Sequence, residues 1–388
     1  MEQFHLSSAS PRLLLVMRLP IGDTLFATPT IRALRQRYPS ALITAVAAED
    51  NAPLLAHNPH LDDVVVLPFR GDWRGGGALP ATLRCLLHRR YDVALCLGTP
   101  ALGWLAVACG IPRQEFMDFP TLWWLSRHGQ AAWNRRHAVD LYATAGRRLD
   151  VPPVEHRLTA TVMPSERGAL RAMLRRLHAD DGSPRVVIHA GCSSAVNKKR
   201  WPSRRFAEVA ATLVERADAR IFLVGGGAEA ALTADLARRV GPAAVSLAGK
   251  LTVRQTLALL EGCHLFVGND SGPLHMATAV GTPVVGVYGA TDPAVFGPCA
   301  PRDRAVVVQP ATPAPCVHFV GGATLWQQLA AARQTCPSLA DIPASAVIAP
   351  CLRLLDTPVA SAAVTALRPG LLAPAPRREA HLPASAAG

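Results

Sequence analysis

The stretch VGNDSGPLHMATAVGTPVVGVYG, residues 267–289, contains the pattern that decides the fold of this chain. An apolar run ends in Gly-Asn-Asp-Ser-Gly-Pro, an alanine-rich segment with helical character follows, and a valine-rich apolar run closes the stretch. A strand, a helix and another strand in this order predict one unit of a parallel sheet. Ligands bind such sheets beyond the carboxyl ends of the strands, so the polar turn at residues 268–273 is a candidate binding site.

The same alternation of strand-like and helix-like segments continues on both sides of this stretch. Strand-like runs such as RLLLVMR, residues 12–18, and RVVIHAG, residues 185–191, alternate with amphipathic segments. The pattern predicts an α/β protein with two Rossmann-like domains that face each other across a cleft. We place these domains at residues 1–170 and 171–356, and we predict that the tail at residues 357–388, rich in proline and alanine, is disordered.

Composition and charge narrow the classes of function. Half of the 388 residues are hydrophobic, and the formal net charge of +12 indicates an anionic partner such as phosphate, nucleic acid or an anionic membrane surface. An arginine-rich composition explains the same charge without a partner. The nine cysteines include no Cys-x-x-Cys pair, so neither a disulfide framework nor a ribbon-type zinc site is expected. Since we find no signal peptide and no apolar run near the ~20 residues of a membrane span, we expect a cytoplasmic protein.

The turn at residues 268–273 has two interpretations. In the structural one, Asp270 or Ser271 caps the following helix and Gly272 permits a tight turn. In the functional one, the free N–H groups and the dipole of the helix N-terminus hold an anion such as pyrophosphate, and His275 points at the same anion. Asp270 then accepts hydrogen bonds from sugar hydroxyls.

Two more strand ends carry residues suited to a nucleotide. The loop AGCSSAVNKKRWP, residues 190–202, combines a glycine, hydroxyl groups and consecutive cations, which favours phosphate binding; a solvated basic loop is the alternative. Its candidate residues are Ser193, Ser194, Lys198 and Lys199. In LVGGGAEAA, residues 223–231, Glu229 opens the next helix, where it either accepts ribose hydroxyls or only complements the helix dipole. The GxxxxGK[ST] pattern is absent, which disfavours a nucleoside triphosphatase.

Near the N-terminus, Asp23 lies between the first predicted strand and the first predicted helix. It either caps that helix or acts as a general base toward a substrate held by the second domain. The chain contains no Asp-x-Asp triplet, a pattern that often holds a divalent metal on a nucleotide diphosphate. We therefore expect neither a metal nor another cofactor, and lysine, serine and backbone N–H groups are left to neutralise a leaving phosphate.

With these loops in view, the sequence resembles glycosyltransferase family 9, the ADP-heptose:lipopolysaccharide heptosyltransferases. The resemblance covers about residues 12–300 and lies in four stretches: RLPIGDTLFATPTIRALRQRYP, VVIHAGCSSAVNKKRWPSRRFAEVA, FLVGGGAEAALTADLA and VSLAGKLTVRQTLALLEGCHLFVGNDSGPLHMATAVGTPVVGVYGATDP. It implies the GT-B fold, with an acceptor-binding first domain and a nucleotide-sugar-binding second domain. It also implies that Asp23 is the catalytic base, that Lys198 or Lys199 binds the diphosphate, and that Glu229 lies near the ribose. The other substrate-binding positions that it implies are Ser193, Ser194, Asp270, Ser271, Gly272 and His275.

The activity that the resemblance implies is an inverting, metal-independent transfer of heptose from ADP-heptose to a lipopolysaccharide core acceptor. The partners are then the nucleotide-sugar donor, a glycolipid acceptor and, peripherally, the inner face of the inner membrane; no motif for nucleic acid is present. The segment at residues 113–140 interleaves tryptophan with arginine, which suits a membrane surface and equally suits a domain core. The alternatives are a different nucleotide-sugar, a protein acceptor, a sugar-nucleotide epimerase or hydrolase of the same fold, and an inert nucleotide-binding protein.

Overall fold

Two parallel sheets form the framework of the protein. The computed structural model describes residues 10–67, 79–98, 103–116, 136–192, 199–289, 291–311 and 337–356. Within these ranges the strands are β1 (Arg12–Met17), β2 (Leu42–Ala48), β3 (Asp63–Leu67), β4 (Val93–Leu97), β5 (Arg113–Phe116), β6 (Arg185–His189), β7 (Arg220–Leu223), β8 (Ala244–Ser246), β9 (Leu265–Asn269), β10 (Val284–Val287) and β11 (Ala305–Val308).

The order of the strands places two crevices at defined points. The first sheet has the order β3-β2-β1-β4-β5 and the second has the order β11-β10-β9-β6-β7-β8. The neighbouring strands are parallel in both sheets. The chain leaves β1 and β6 on one side and later returns to their other side, so the switch points lie between β1 and β4 and between β6 and β9. Ligands of open α/β sheets bind beyond the carboxyl ends of strands at such points.

Helices connect the strands, as the alternating sequence pattern predicts. Among the described residues they are α1 (Ile21–Phe26), α2 (Thr28–Arg37), α3 (Ala52–Leu55), α4 (Leu79–Leu87), α5 (Gly103–Ala108), α6 (Ala138–Ala143), α7 (Pro164–Arg176), α8 (Ser203–Ala217), α9 (Ala230–Val240), α10 (Val253–Glu261), α11 (Gly272–Ala279), α12 (Pro293–Phe296), α13 (Pro337–Ala340) and α14 (Ala344–Asp356). Short 3-10 segments at Thr144–Leu149 and Gly227–Glu229 follow α6 and precede α9. The predicted α/β fold is therefore confirmed.

The central strands are buried along their whole length. Every residue of β4 and β9 is buried, and in β1 only Arg12 is exposed. Such continuous apolar runs are typical of parallel strands that are covered by helices on both faces. The helix α14 packs its Val347 and Leu354 into the core of the second sheet together with Phe206 of α8, so the chain up to Asp356 contributes to that core.

Some of our expectations about the elements need correction, and others concern residues beyond the described ranges. The first helix begins at Ile21 and not after Asp23 as predicted, so Gly22 and Asp23 are already helical. It also divides at Ala27 into α1 and α2. The predicted domain boundary between residues 170 and 171 falls inside α7, and the division into two domains stays a prediction. The tail at residues 357–388 and most of the tryptophan-rich segment, residues 117–135, lie outside the described residues. In the part of the chain that is described, no helix is long and apolar enough to cross a membrane.

Candidate active site

Asp23 lies in the first turn of α1, directly after β1. Pro20, rather than Asp23, occupies the N-cap position, so the interpretation of Asp23 as a helix cap is wrong. The Thr24 hydroxyl donates to the Pro20 carbonyl over 2.9 Å and the Asn51 amide donates to the Leu19 carbonyl, which together fix the turn. The Asp23 carboxylate is thus free to contact other side chains, and its Oδ1 accepts a hydrogen bond of 2.8 Å from the Tyr142 hydroxyl.

Asp270 follows β9 and is almost completely buried. Lys199 Nζ donates to its Oδ2 over 2.6 Å, the Thr291 hydroxyl donates to the same oxygen over 2.7 Å, and His275 Nε2 lies 3.4 Å from Oδ1. Burial alone would raise the pKa of Asp270, but the charge of Lys199 and the contact with His275 outweigh it and hold the pKa well below its usual range. Asp270 is therefore an ionised group, and its described partners are side chains.

The capping interpretation of the 268–273 turn is corrected in the same way. Ser271 does occupy the N-cap position of α11, but its side chain makes no capping hydrogen bond. Its hydroxyl instead lies 2.9 Å from Nδ1 of His189 and donates to the Asn269 carbonyl over 3.2 Å. The N–H groups of the first turn of α11 are thus not occupied by the side chains of Asp270 or Ser271.

Lys199 is held beside Asp270 by a buried tryptophan. The Trp201 indole is 1% exposed, its Nε1 donates to the Ile342 carbonyl over 3.1 Å, and its backbone N–H donates to Asn269 Oδ1 over 3.0 Å. Asn269 in turn donates through Nδ2 to the carbonyls of Ala190 and Gly191. These bonds anchor both ends of the 190–202 loop. Lys199, two residues before Trp201, therefore lies at the end of β9. The loop residues Ser193, Ser194 and Lys198 lie outside the described residues.

Glu229 occupies the N-cap position of α9 and belongs to the same network. Its Oε2 accepts from the Gly226 N–H over 2.9 Å and lies 3.3 Å from Nε2 of His189, which bridges it to Ser271. Burial would raise the pKa of Glu229, yet the hydrogen bond and charge of His189 and the Gly226 N–H lower it on balance. The other oxygen, Oε1, is buried and has no hydrogen-bond partner among the described residues, so it is an acceptor without a donor.

Helix α1, which follows β1 of the first sheet, lies against helix α11, which follows β9 of the second sheet. Two glycines permit this contact. A Cβ atom on Gly272 would lie 2.7 Å from Cγ2 of Ile21, and a Cβ atom on Gly22 would lie 3.0 Å from Cδ2 of His275. The ring of His275 also stacks at an angle on Phe26, with 4.5 Å between the ring centroids. This close approach brings the turn that carries Asp23 to the turn that carries Asp270.

The surroundings of Asp23 raise its pKa. Burial is the largest cause, whereas the Tyr142 hydrogen bond and the charges of Lys199 and His275 act in the opposite direction and the charge of Asp270 adds to the increase. A carboxylate with a raised pKa is a stronger base once it is ionised. Beside it, Lys199 and the N-terminus of α11 supply positive potential for an anion. The arrangement can therefore remove a proton on one side and stabilise a leaving phosphate on the other.

The described candidate residues form one connected cluster. Asp23, Lys199, Asp270 and His275 influence one another, and Ser271 continues through His189 to Glu229. Sequence reasoning missed four residues of this cluster, which are Tyr142, His189, Asn269 and Thr291. Three of them lie at or just beyond strand ends, a position that marks candidates; Tyr142 lies inside a helix and carried no such signal. Within the described ranges, no group of three or more His, Cys, Asp or Glu side chains is placed to hold a metal ion.

Comparisons with known proteins show which family the chain resembles over most of its length. Residues 85–322 match the family model described as glycosyltransferase family 9 (heptosyltransferase), a range that begins after Asp23 and contains the other candidate residues. Lipopolysaccharide heptosyltransferase 3 of Escherichia coli strain K12 is 28% identical over 290 residues, which cover 71% of this chain and 82% of that protein.

Two solved structures are similar over almost their whole length. The glycosyl transferase family 9 protein of Veillonella parvula has a TM-score of 0.72 at 21% identity, and the match covers 91% of this chain and 99% of that one. The ADP-heptose lipopolysaccharide heptosyltransferase II of E. coli has a TM-score of 0.69 at 21% identity, with 89% and 98% covered. These likenesses confirm the predicted GT-B fold.

Proposed function

Since the chain belongs to glycosyltransferase family 9 and is a glycosyltransferase, we propose that it transfers heptose from ADP-heptose to the core of a lipopolysaccharide acceptor. The names of its relatives support this substrate pair, because they include a lipopolysaccharide heptosyltransferase and an ADP-heptose heptosyltransferase. The observation that carries the proposal is the position of the Asp23 carboxylate, which lies within electrostatic reach of Lys199, Asp270 and His275 across the contact of α1 with α11.

The proposed chemical step is a single displacement with inversion at the anomeric carbon. Asp23 accepts the proton of an acceptor hydroxyl while that oxygen forms a bond to the anomeric carbon of the heptose. The bond between this carbon and the β-phosphate oxygen of ADP breaks on the opposite side, and ADP leaves with the electron pair. A positioned base typically contributes 10²–10⁴-fold to such a step.

The donor is proposed to bind at the ends of β6 and β9. Lys199 and the N–H groups of α11 stabilise the diphosphate, with Ser193, Ser194 and Lys198 as further donors from the same loop. Asp270 holds Lys199 in place through the 2.6 Å ion pair, which orients the ammonium group before the donor arrives. We propose that Glu229 Oε1, a buried acceptor without a donor among the described residues, accepts a hydrogen bond from a ribose hydroxyl.

We propose that positive charge from the protein takes the role that a divalent metal has in many nucleotide-sugar enzymes. The chain has no Asp-x-Asp triplet, and the site offers an ammonium group and a helix N-terminus to the leaving diphosphate. Turnover is then expected to persist in excess EDTA. A loss of activity that Mg²⁺ or Mn²⁺ restores would contradict this part of the proposal.

The function is tested by a donor panel and an activity assay. ADP-heptose is expected to bind more tightly than UDP- or GDP-sugars in calorimetry, and the product formed with a lipopolysaccharide core acceptor is expected to have inverted anomeric configuration. Asp23→Asn is expected to lower kcat by 10²-fold or more. Asp235→Asn, on the exposed side of α9, is the matched control and keeps full activity. An Asp23→Asn enzyme that folds and turns over normally would refute the assignment of the base.

We also propose that the enzyme works in the cytoplasm, peripherally bound to the inner face of the inner membrane, where a glycolipid acceptor is anchored. The net charge of +12 favours an anionic surface. Binding to vesicles with anionic lipid is expected to weaken as salt increases and to weaken further after Trp123→Ser and Trp124→Ser, two residues outside the described ranges. Vesicle binding that ignores both changes would contradict this localisation.

A further inference from the structure

Tyr142 is a buried tyrosine whose hydroxyl lies against Asp23. It is 2% exposed, and its hydroxyl donates to Asp23 Oδ1 over 2.8 Å. Within the described part of the chain, this is the hydrogen bond that the Asp23 side chain accepts. Burial and the neighbouring carboxylate raise the pKa of Tyr142 well above its usual value, so the phenol keeps its proton and is a permanent donor.

The first turn of α6, the helix that carries Tyr142, is fixed by the ring of His137, which also contacts the segment after α12. The Val139 N–H donates to Nδ1 of His137, which caps α6, while Nε2 of the same ring lies 3.1 Å from the Gly297 carbonyl. Because burial lowers the pKa of His137 to about 4, the ring is neutral and makes both hydrogen bonds at once. The Tyr142 hydroxyl therefore contacts Asp23 from a helix whose first turn is fixed in place.

We propose that Tyr142 is a positioning residue, which orients the Asp23 carboxylate and favours its ionised form for proton abstraction. The inference rests on the proposed role of Asp23 as the general base. A hydroxyl that donates to one carboxylate oxygen selects one rotamer of the side chain and leaves the other oxygen for the acceptor hydroxyl. The bond also stabilises the anion relative to the neutral acid.

The charged and titratable groups that face Asp23 determine what removing this bond does. Lys199, from the loop before α8, and His275 of α11 favour the carboxylate, whereas Asp270, after β9, disfavours it. These groups remain when Tyr142 is changed to phenylalanine, so the lost hydrogen bond shifts the pKa of Asp23 in one direction only, upward. The fraction of ionised base then falls at low pH and recovers at high pH.

The test is the pH profile of kcat/KM for Tyr142→Phe. Since a hydrogen bond to a charged group is worth about one pKa unit or more, the acidic limb is expected to move upward by about one pH unit. Below the limb, kcat/KM falls about tenfold relative to the wild type, and on the high-pH plateau the difference is much smaller. If the acidic limb of the Tyr142→Phe profile stays at the wild-type pH, with or without a uniform loss of activity, the proposal is overturned.

Tyr38→Phe is the matched control. The Tyr38 hydroxyl donates over 2.8 Å to the Leu149 carbonyl, so this variant loses a tyrosine hydrogen bond of the same length without touching Asp23. Its acidic limb is expected to coincide with that of the wild type. In the Tyr38→Phe background, three of the four tyrosines remain, and their biosynthetic replacement by 3-fluorotyrosine keeps the packing and strengthens the donor. This replacement is expected to move the acidic limb downward. A downward shift that persists when Tyr142→Phe is added would also count against the proposal.

The Asp23→Asn background separates this inference from the function on which it rests. If Tyr142 acts through Asp23, adding Tyr142→Phe to Asp23→Asn lowers the residual kcat/KM by less than about twofold. A full tenfold additional loss would show a role that does not pass through the carboxylate and would overturn the inference. If Asp23→Asn alone retains wild-type activity, the proposed base is wrong; if it is inactive while Tyr142→Phe keeps the wild-type limb, only the positioning role is wrong.

Discussion

Asp23 is a residue whose charge is unfavourable for the folded state. Its pKa is raised in the fold, mainly by burial, so the folded protein prefers the neutral acid and ionisation favours unfolding. We therefore expect Asp23→Asn to be more stable than the wild type at pH 7, because asparagine keeps an oxygen for Tyr142 and removes the charge. The midpoint of thermal unfolding, measured for both proteins from pH 3 to pH 8, checks this.

The direction of this pH dependence follows from the linkage between proton binding and folding. Below the unfolded pKa of about 3.9, the aspartate is protonated in both states and the two proteins have similar stability. As pH rises through the window between the unfolded and the raised folded pKa, the wild type loses stability that the variant keeps, and above the window the difference is constant. A variant that is less stable than the wild type at every pH would show that the carboxylate is stabilising.

Lys199 and Asp270 form an ion pair in which each partner has a different role. The side chain of Asp270 is 5% exposed and that of Lys199 is 22% exposed, so Lys199→Met leaves a buried carboxylate without its cation. We expect this variant to lose about 3 kcal/mol of unfolding free energy and about 10²–10³-fold in kcat. Adding Asp270→Asn is expected to restore stability without restoring turnover, which denaturant titration and activity assays separate. Restored turnover in the double variant would mean that Lys199 serves only to neutralise Asp270.

The candidate residues of the site could be selected from the sequence, whereas their partners could not. Asp23, Lys199, Glu229 and Asp270 lie in the segments that follow predicted strands, where a charged side chain contrasts with the apolar run before it. Their partners are set by the tertiary structure: Tyr142 lies 119 residues from Asp23 along the chain, and Lys199 lies 71 residues from Asp270. No local pattern encodes such a contact, so the capping interpretation, which needs only neighbours, was the natural local alternative for Asp23 and Asp270.

At the scale of elements, the strands were easier to predict than the starts of the helices. The apolar runs of β1, β4 and β9 favour a buried strand, whereas three of the four residues of β5 (RQEF) are polar and its sequence gives no such signal. The helix α1 begins without a capping side chain, since Pro20 supplies only a fixed backbone angle. A start that depends on backbone geometry and on Asn51, a residue of another loop, is not visible in the local sequence.

The contact between α1 and α11 depends on glycine at position 272. An added Cβ would approach Cγ2 and Cβ of Ile21 to 2.7 and 2.8 Å, and both belong to a branched side chain with little freedom to move. Gly272→Ala is therefore expected to push the two helices apart and to lower kcat/KM about 10–100-fold, because the base and the donor site shift relative to each other. Steady-state kinetics with ADP-heptose measures the effect.

Gly168→Ala is the control for this substitution. Gly168 lies inside α7, where an added Cβ meets nothing within 4 Å, so alanine is expected to raise the unfolding free energy by about 0.5–1 kcal/mol and to leave kcat/KM unchanged. Equal activity of Gly272→Ala and Gly168→Ala would show that the close approach of α1 and α11 is not needed for catalysis.

At the scale of the whole molecule, Arg254 joins elements that are distant in the chain. From α10 it donates through Nε to Glu166 Oε1 over 2.7 Å, through Nη2 to the Thr161 carbonyl over 2.7 Å, and through Nη1 to the Pro53 carbonyl over 3.2 Å. Thr161 and Glu166 belong to the segment that leads from the first sheet to the second, and Pro53 belongs to α3. One guanidinium thus ties the second sheet to that segment and to the first sheet.

This arrangement predicts that Arg254 contributes more to stability than an ordinary surface cation. The Arg254 and Glu166 side chains are only 16% and 22% exposed, so Arg254→Met leaves a half-buried carboxylate and two carbonyls without donors. We expect a loss of about 3 kcal/mol of unfolding free energy. In a double-mutant cycle, Glu166→Gln is expected to cost less on the Arg254→Met background than alone, since the two effects share one interaction. Asp181→Asn, which weakens the exposed pair with Arg220, is expected to leave the Tm nearly unchanged. If Arg254→Met changes the Tm as little as Asp181→Asn does, the α1–α11 contact, rather than Arg254, fixes the position of the two sheets relative to each other.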